Sequence, residues 1–337
     1  IKLSLISVLL LEAIYFFNFT TPEFNVNVCQ LPFWSLVIYY SWKIYDTKEI
    51  QFYDCFLIGL FAAIGFLSKY LFVYLLLSIS LLFIYVIYKK FKKFDFKYLI
   101  IIEIFLVLLV PHLIWLFDND FITVSYGLKR SGLEESEILN HIKYPITFLL
   151  KQLGILIPFF FLMWLLIKKI EIKFNFDDKK FLFLLSISIL PIFLIFITSA
   201  ITGSKIRTMW MTPFYLPLGI FSIYLFRSQI NLKNINSFLV GFLFLFFLSP
   251  SLYAYISIIK TDKRTDYPGK EIAAKVQFTW EQDFEEEIEF VTGDEWKAGN
   301  LSYHLKSRPK WEGFTKNEIL NKSSQFICLD DICLGRY

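Results

Sequence analysis

"LIGLFAAIGFLSKYLFVYLLLSISLLFIYVIY", residues 57–88, contains one charged residue, Lys69. A second run, "INSFLVGFLFLFFLSPSLYAYIS" at residues 235–257, contains none. Such runs reach the roughly 20 residues that an α-helix needs to cross the hydrocarbon layer. Lipid accommodates only helices or closed barrels as spanning structures, and the strands of a barrel would alternate in polarity. The sequence therefore predicts an all-α polytopic membrane protein.

The composition agrees with a membrane protein. Hydrophobic residues make up 56% of the chain and the mean hydropathy is +0.54, whereas soluble domains are about 45–50% apolar. The net charge of +4 predicts no partner by itself, because the distribution of charge among loops carries the information. No basic stripe interleaved with aromatic residues occurs, so we expect no nucleic-acid partner. The first residue is Ile1, within an apolar run, and we expect further segments upstream of it.

The loop charges predict the topology. Residues 89–97 carry five lysines against one aspartate, and the loops at 168–180 and 227–234 are also basic. Short basic loops stay cytoplasmic, and all three can do so only if residues 54–88 cross the membrane twice rather than once. About nine spans follow, with the polar C-terminal tail on the non-cytoplasmic side. We predict them at residues 3–17, 25–45, 54–67, 70–88, 98–116, 146–167, 181–200, 211–226 and 235–256.

The chain divides into two predicted domains, a membrane domain at 1–256 and a polar tail at 257–337. Pro268 is placed for the first turn of a helix, where proline is tolerated. Alternation of helices and strands in the tail predicts a small α/β domain outside the membrane. Its predicted elements are a helix from Pro268 to about Phe284, a strand at 288–294, a helix at 295–305 and a strand at 325–330.

The four cysteines fall into two pairs. Cys29 and Cys55 lie in or beside predicted spans and are interpreted as small apolar residues. Cys328 and Cys333 lie on the predicted oxidising side, where they form either a disulfide or two free thiols. With three histidines and no C-x-x-C, we predict no structural zinc site and no cofactor, with a divalent metal left open.

Ionisable residues at membrane depth are candidates for a functional role, because inserting each one into the bilayer costs free energy. Glu23 follows Pro22, so its carboxylate lies in an irregular segment between spans; it either caps the next helix or faces a catalytic cavity. Lys69 either extends to the interface or holds a lipid phosphate. His112 is either a satisfied buried histidine or a ligand. Glu103 has only a hydrogen bond within the bundle as its expected role.

Two further groups of polar residues lie in predicted external loops. Tyr126, Lys129 and Arg130 follow the span that ends near residue 116. Lys205 and Arg207 stand on the outer side, against the usual excess of cations inside. Paired cations suit an anionic headgroup, because arginine binds phosphate with two hydrogen bonds and lysine acts as a point charge.

Four motifs in this order resemble a known family. They are "TTPEFNVNVCQLPFWSLVIYY" at 20–40, "GLFAAIGFLSKYLFVYLLLS" at 59–78, "WMTPFYLPLG" at 210–219, and the tail segments "DYPGKEIAAKV" at 266–276 and "VTGDEWKAGNLSYHLKSRP" at 291–309. Together they resemble the GT-C glycosyltransferases of glycosyltransferase family 39. That group includes the protein O-mannosyltransferases and the bacterial lipid A aminoarabinose transferase.

The resemblance implies an inverting transfer of one sugar from a polyprenyl-phosphate donor to a lipid, glycan or protein acceptor. The reaction would take place at the periplasmic face of the cell inner membrane, without a nucleotide sugar at the site. A carboxylate would act as general base, and cations would stabilise the departing phosphate. The residues implied in binding the donor phosphate or the substrates are Lys69, Lys205, Arg207, Tyr126, Lys129, Arg130 and His112.

The chain departs from the family pattern at its main acid. The family carries that acid in an Asp-Glu pair after its first span, and no such loop occurs in this sequence. Glu23 matches the second carboxylate motif, where aspartate is commoner, and is the candidate catalytic residue here, with donor positioning as its expected role. Two other functions stay open: a lipid or solute transporter or flippase, which would more typically show internal repeats, and a non-catalytic membrane scaffold.

Overall fold

The structure is a computed structural model. It describes residues 2–20, 24–133, 137–167, 169–172, 174–260, 266–312, 325–329 and 332–337. The chain divides into two compact units, Ile1–Ala254 and Tyr255–Tyr337.

The first unit is helical. Its helices are α1 (Lys2–Leu9), α2 (Val26–Asp46), α3 (Phe52–Ser68), α4 (Val73–Tyr88), α5 (Tyr98–Asp118), α6 (Ile122–Arg130), α7 (Asn140–Leu166), α8 (Lys179–Ser188), α9 (Leu190–Thr202), α10 (Leu218–Leu225) and α11 (Ile235–Ile259). Short 3-10 helices occur at Leu10–Ala13, Tyr15–Phe17, Tyr70–Phe72, Thr208–Tyr215 and Leu232–Asn234.

Four helical segments of the described chain are long and apolar enough to cross a membrane. A fifth crossing results if α8 and α9, bent by 40° at their junction, count as one span. This number agrees with a multi-pass membrane protein. The four segments are Tyr70–Tyr88, Tyr98–Asp118, Asn140–Leu166 and Leu232–Ile259.

The predicted nine spans are not confirmed. Residues 3–17 form an eight-residue α-helix followed by two 3-10 turns, and residues 211–226 begin as a 3-10 helix that contains Pro213. Proline cannot donate the backbone hydrogen bond that a helix interior requires. Apolar composition indicated burial in these segments, but it did not predict their helix length.

An aromatic cluster lies at the centre of the first unit. The Trp34 ring lies 5.3 Å from the Phe72 ring and 5.0 Å from the Phe214 ring, measured between centroids. All three side chains are fully buried. Because edge and tilted ring contacts are favourable, the cluster holds together α2, the break between α3 and α4, and the 3-10 helix Thr208–Tyr215.

A tight turn connects α5 to α6. Asp120 and Phe121 have φ values of 49° and 54°. These values lie in the left-handed region, which residues other than glycine rarely adopt. Beyond the turn, the hydroxyl of Thr123 in α6 lies 2.7 Å from the hydroxyl of Tyr70. The stretch between the predicted spans 98–116 and 146–167 thus contains α6 and the first turns of α7.

The second unit combines two helices with a four-stranded sheet. Its elements are α12 (Gly269–Asp283), β1 (Phe290–Thr292), α13 (Glu295–His304), β2 (Lys310–Glu312), β3 (Gln325–Leu329) and β4 (Ile332–Arg336). The strand order is β2-β1-β4-β3, with β1 and β2 parallel and the other pairs antiparallel. Trp280 of α12, Leu301 of α13 and Val291 of β1 share one buried core. The helices and strands predicted in the tail all have counterparts here.

Cys328 and Cys333 form a disulfide. They are directly opposite each other in the antiparallel pair β3 and β4. Of the two alternatives left open by the sequence, the structure has the disulfide, whereas Cys29 and Cys55 are free.

Removing this disulfide is expected to loosen the β3–β4 hairpin. The loop between the cysteines is short, with a sequence separation of five, so loop-closure entropy gives a loss of about 2 kcal/mol for Cys328→Ser/Cys333→Ser. Hydrogen exchange in β4 of the full chain should then become roughly 30-fold faster. Cys29→Ser is the matched control. Equal exchange in reduced and oxidised wild-type protein would contradict the prediction.

Candidate functional site

Lys69 lies at the centre of the candidate site. It occupies the break between α3 and the 3-10 turn Tyr70–Phe72, with extended backbone. Its ammonium donates a hydrogen bond of 2.5 Å to the Oδ1 atom of buried Asn27. The same Nζ lies 5.1 Å from the centroid of the Trp210 ring, within the range of a cation–π contact.

The aromatic cluster of the core positions these three side chains. Asn27 lies two turns before Trp34 in α2, which begins at an N-cap where Asn25 accepts the backbone N–H of Asn27 at 2.9 Å. Lys69 immediately precedes the turn that ends at Phe72, and Trp210 is one turn before Phe214. The segments that carry the site are therefore fixed by the contacts that hold the core together.

Tyr70 joins Lys69 to α5 and α6. Its hydroxyl lies 2.7 Å from the Nε2 atom of His112 and 2.7 Å from the hydroxyl of Thr123. The His112 ring stacks on Trp115, with 5.8 Å between centroids. His112 is thus half-buried and hydrogen-bonded to Tyr70, and its role as a ligand stays a prediction.

The end of α6 contacts the segment before Trp210. The backbone N–H of Lys205 donates to the carbonyl of Ser131 at 2.8 Å. Next to it, the Arg130 guanidinium donates to the Tyr126 hydroxyl and lies 5.4 Å from the Tyr126 ring centroid. These contacts bring the cationic end of α6 to the segment that contains Lys205 and Arg207.

The charges described around Lys69 are positive. Burial, together with the smaller effect of the positive charge of Arg130, lowers the pKa of the Lys69 ammonium to about 7. Among the described residues, no carboxylate forms an ion pair with Lys69. A half-buried cation under the influence of a second positive charge favours a bound anion, since an opposite charge restores the charged form.

The structure brings most of the predicted site residues to one region. Lys69, His112, Tyr126 and Arg130 are connected through the contacts above, and Lys205 joins them through its backbone. The side chains of Lys129, Lys205 and Arg207 are exposed. Glu23 lies outside the described residues, so its role stays a prediction.

Sequence reasoning missed Asn27, Trp210 and Thr123 as members of the site. Asn27 and Thr123 are neutral, whereas the predictions from the sequence rested chiefly on ionisable residues. Trp210 stood in a motif quoted for its family resemblance. An asparagine at the apolar start of α2 was the available signal, because a buried amide needs a hydrogen-bonding partner.

Tyr70→Phe is expected to reduce the rate of the transfer reaction that the family resemblance implies, by up to about 30-fold. The change removes one hydroxyl that bonds both His112 and Thr123, each bond contributing about 1 kcal/mol. Hydrogen exchange in α6 should also become faster. Tyr85→Phe, at an exposed position of α4, is the control, and an equal effect of both variants would contradict the prediction.

Residues 2–115 match the model of a family described as dolichyl-phosphate-mannose-protein mannosyltransferase. The match includes Asn27, Lys69, Tyr70 and His112, and it confirms the resemblance to GT-C glycosyltransferases for this part of the chain. It supports, in general terms, a membrane glycosyltransferase that uses a polyprenyl-phosphate sugar. No curated protein and no solved structure gave a match.

Proposed function

We propose that this protein transfers a sugar from a polyprenyl-phosphate donor to the hydroxyl of an acceptor, and that the site around Lys69 binds the donor phosphate. One observation carries the proposal: Lys69 is held on Asn27 and Trp210 beside a second cation, with no carboxylate paired to it in the described residues. The family match over residues 2–115 supports the same reaction class.

The cations have distinct roles in this proposal. Lys69 contacts the phosphate as a point charge from the inner wall of the site, and Arg130 adds a second positive charge. Lys205 and Arg207, both exposed, are placed to attract the anionic lipid headgroup. Lys129 and Tyr126 border the same region on α6 and contact the donor or the acceptor.

The chemistry follows from these charges. The acceptor oxygen forms a bond to the anomeric carbon while the bond from that carbon to the phosphate oxygen breaks, so the sugar configuration inverts. The hydroxyl proton passes to a carboxylate. Polyprenyl phosphate leaves with an added negative charge, which the cations stabilise where it develops. Glu23 is the candidate catalytic carboxylate in this chain, and donor positioning is its expected role.

The proposal also includes an orientation in the membrane. The three basic loops predict that the Lys69 end of the bundle and the unit Tyr255–Tyr337 lie on the periplasmic side of the inner membrane. A lipid, a glycan or a protein can supply the acceptor hydroxyl.

A transfer assay tests the function. The full-length protein is supplied with radiolabelled polyprenyl-phosphate sugars and an envelope extract, and labelled acceptor is counted. Wild type should transfer label, whereas Lys205→Ala/Arg207→Ala should transfer about tenfold less at low donor concentration because headgroup attraction is lost. Glu23→Gln should also lose activity. The result against the function is an absence of transfer from every polyprenyl-phosphate sugar tested.

A further inference from the structure

A cavity opens in the helical unit beside α7 and α11. Its volume is about 540 Å³, and its walls come from α7, α11 and the 3-10 helices near residues 10–17 and 208. The apolar wall includes Ile155, Pro158 and Leu252. Both α7 and α11 belong to membrane-length segments, and most of their surface is exposed in the structure. The groove therefore faces the region that lipid chains occupy.

One carboxylate lies in this groove. Glu12 is half-buried in the 3-10 helix Leu10–Ala13 and lines the cavity. Among the described residues, its carboxylate makes no ion pair and no hydrogen bond. Its backbone is held firmly, since the Asn18 amide donates to the Glu12 carbonyl at 2.9 Å and to the Leu245 carbonyl of α11 at 3.4 Å. These hydrogen bonds therefore fix the backbone that carries the Glu12 carboxylate.

One ammonium lies in the same groove. Lys151 is on α7, about three turns from its beginning, and also lines the cavity. In the described part of the chain it forms no ion pair, not even with Glu12. Opposite charges that share an apolar groove without meeting are each open to a ligand group of the other sign.

A phospholipid with an ammonium headgroup satisfies both charges. We propose that this groove binds a zwitterionic phospholipid of the phosphatidylethanolamine class, with its ammonium on Glu12, its phosphate on Lys151 and an acyl chain along the apolar wall. Phosphatidylglycerol has the phosphate but no cation. Phosphatidylcholine has a cation that cannot donate a hydrogen bond to the carboxylate. The proposal therefore predicts that phosphatidylethanolamine binds more tightly than phosphatidylglycerol or phosphatidylcholine. It is independent of the proposed transfer reaction.

Native mass spectrometry of the full-length protein tests this proposal. Delipidated protein in detergent is given equal amounts of phosphatidylethanolamine, phosphatidylglycerol and phosphatidylcholine, and retained lipid is counted. Wild type should retain phosphatidylethanolamine about tenfold more than either competitor. Glu12→Gln should remove this preference while leaving phosphatidylglycerol retention unchanged. Lys151→Met should reduce retention of all three.

Glu103→Gln is the matched control, because Glu103 is an exposed carboxylate on α5 that does not line the groove. It should keep the wild-type preference. Equal retention of the three lipids by the wild-type protein would overturn the proposal, as would an equal loss of preference in Glu12→Gln and Glu103→Gln. Unchanged melting temperatures of the variants show that any loss comes from the groove rather than from unfolding.

Discussion

Lys69→Met is expected to lower kcat/KM for a polyprenyl-phosphate sugar about 100-fold. The ammonium is the innermost cation of the proposed donor site, and a hydrogen bond to a charged group contributes about 1.5–3 kcal/mol. Methionine has a similar volume without the charge, so the Trp210 ring keeps a packing partner. Steady-state kinetics with donor as the varied substrate measure the effect, and the melting temperature shows whether the fold is kept.

The same residue gives the donor affinity a distinct pH dependence. With a pKa of about 7, Lys69 is charged in the free protein below pH 7 and increasingly neutral above it. A phosphodiester keeps one negative charge over this range, so donor binding above pH 7 requires proton uptake by Lys69. Donor affinity should therefore fall as the pH rises from 7 to 9, by up to about tenfold per unit.

Lys69→Arg is the matched variant for this pH effect. Arginine stays charged at all relevant pH values, so any donor affinity that it retains should be flat between pH 7 and 9. The idea fails if wild type and Lys69→Arg show the same pH profile, or if Lys69→Met transfers sugar at the wild-type rate.

Gly219→Ala is expected to destabilise the helical unit by about 3 kcal/mol. A Cβ atom at Gly219 of α10 would lie 2.0 Å from the backbone carbonyl oxygen of Ser7 in α1. A backbone atom cannot rotate away as a flexible side chain can, so the two helices must separate. Overpacking of a well-packed contact costs about 1–3 kcal/mol, and a clash with backbone belongs at the upper end.

Unfolding in detergent, followed by the loss of helical signal, measures this change. Gly154→Ala on α7 is the control, because a Cβ atom there meets nothing within 4 Å. We expect its stability to stay within about 1 kcal/mol of wild type. Equal stability of the two variants would contradict the close approach of α1 and α10.

Composition was sufficient to predict the class of fold, because long apolar runs have few alternatives in a membrane. It could not predict that residues 3–17 and 208–215 would form short or 3-10 helices, since helix geometry there depends on local packing and on Pro213. The amphipathic helix α6 was also missed, because its polar residues read as a loop.

The candidate site shows a similar division. The sequence alone indicated Lys69 and the cations near it, because charged residues beside apolar spans are costly to insert. The contacts of Lys69 with Asn27 and Trp210 join positions far apart in sequence, and only the packing of Trp34, Phe72 and Phe214 brings these together. The sequence was sufficient to predict which side chains carry a charge near the membrane. It was not sufficient to predict which residues contact them, because those contacts depend on the tertiary structure.

Because Lys69 directly follows the end of α3, the number of residues in α3 determines where its ammonium lies. Each residue of an α-helix adds 1.5 Å of rise and turns the chain by about 100°. Deleting one residue from α3 would therefore rotate the ammonium away from Trp210 and shift its depth, although every chemical group of the site would still be encoded. Among natural variants, α3 should therefore keep a constant length.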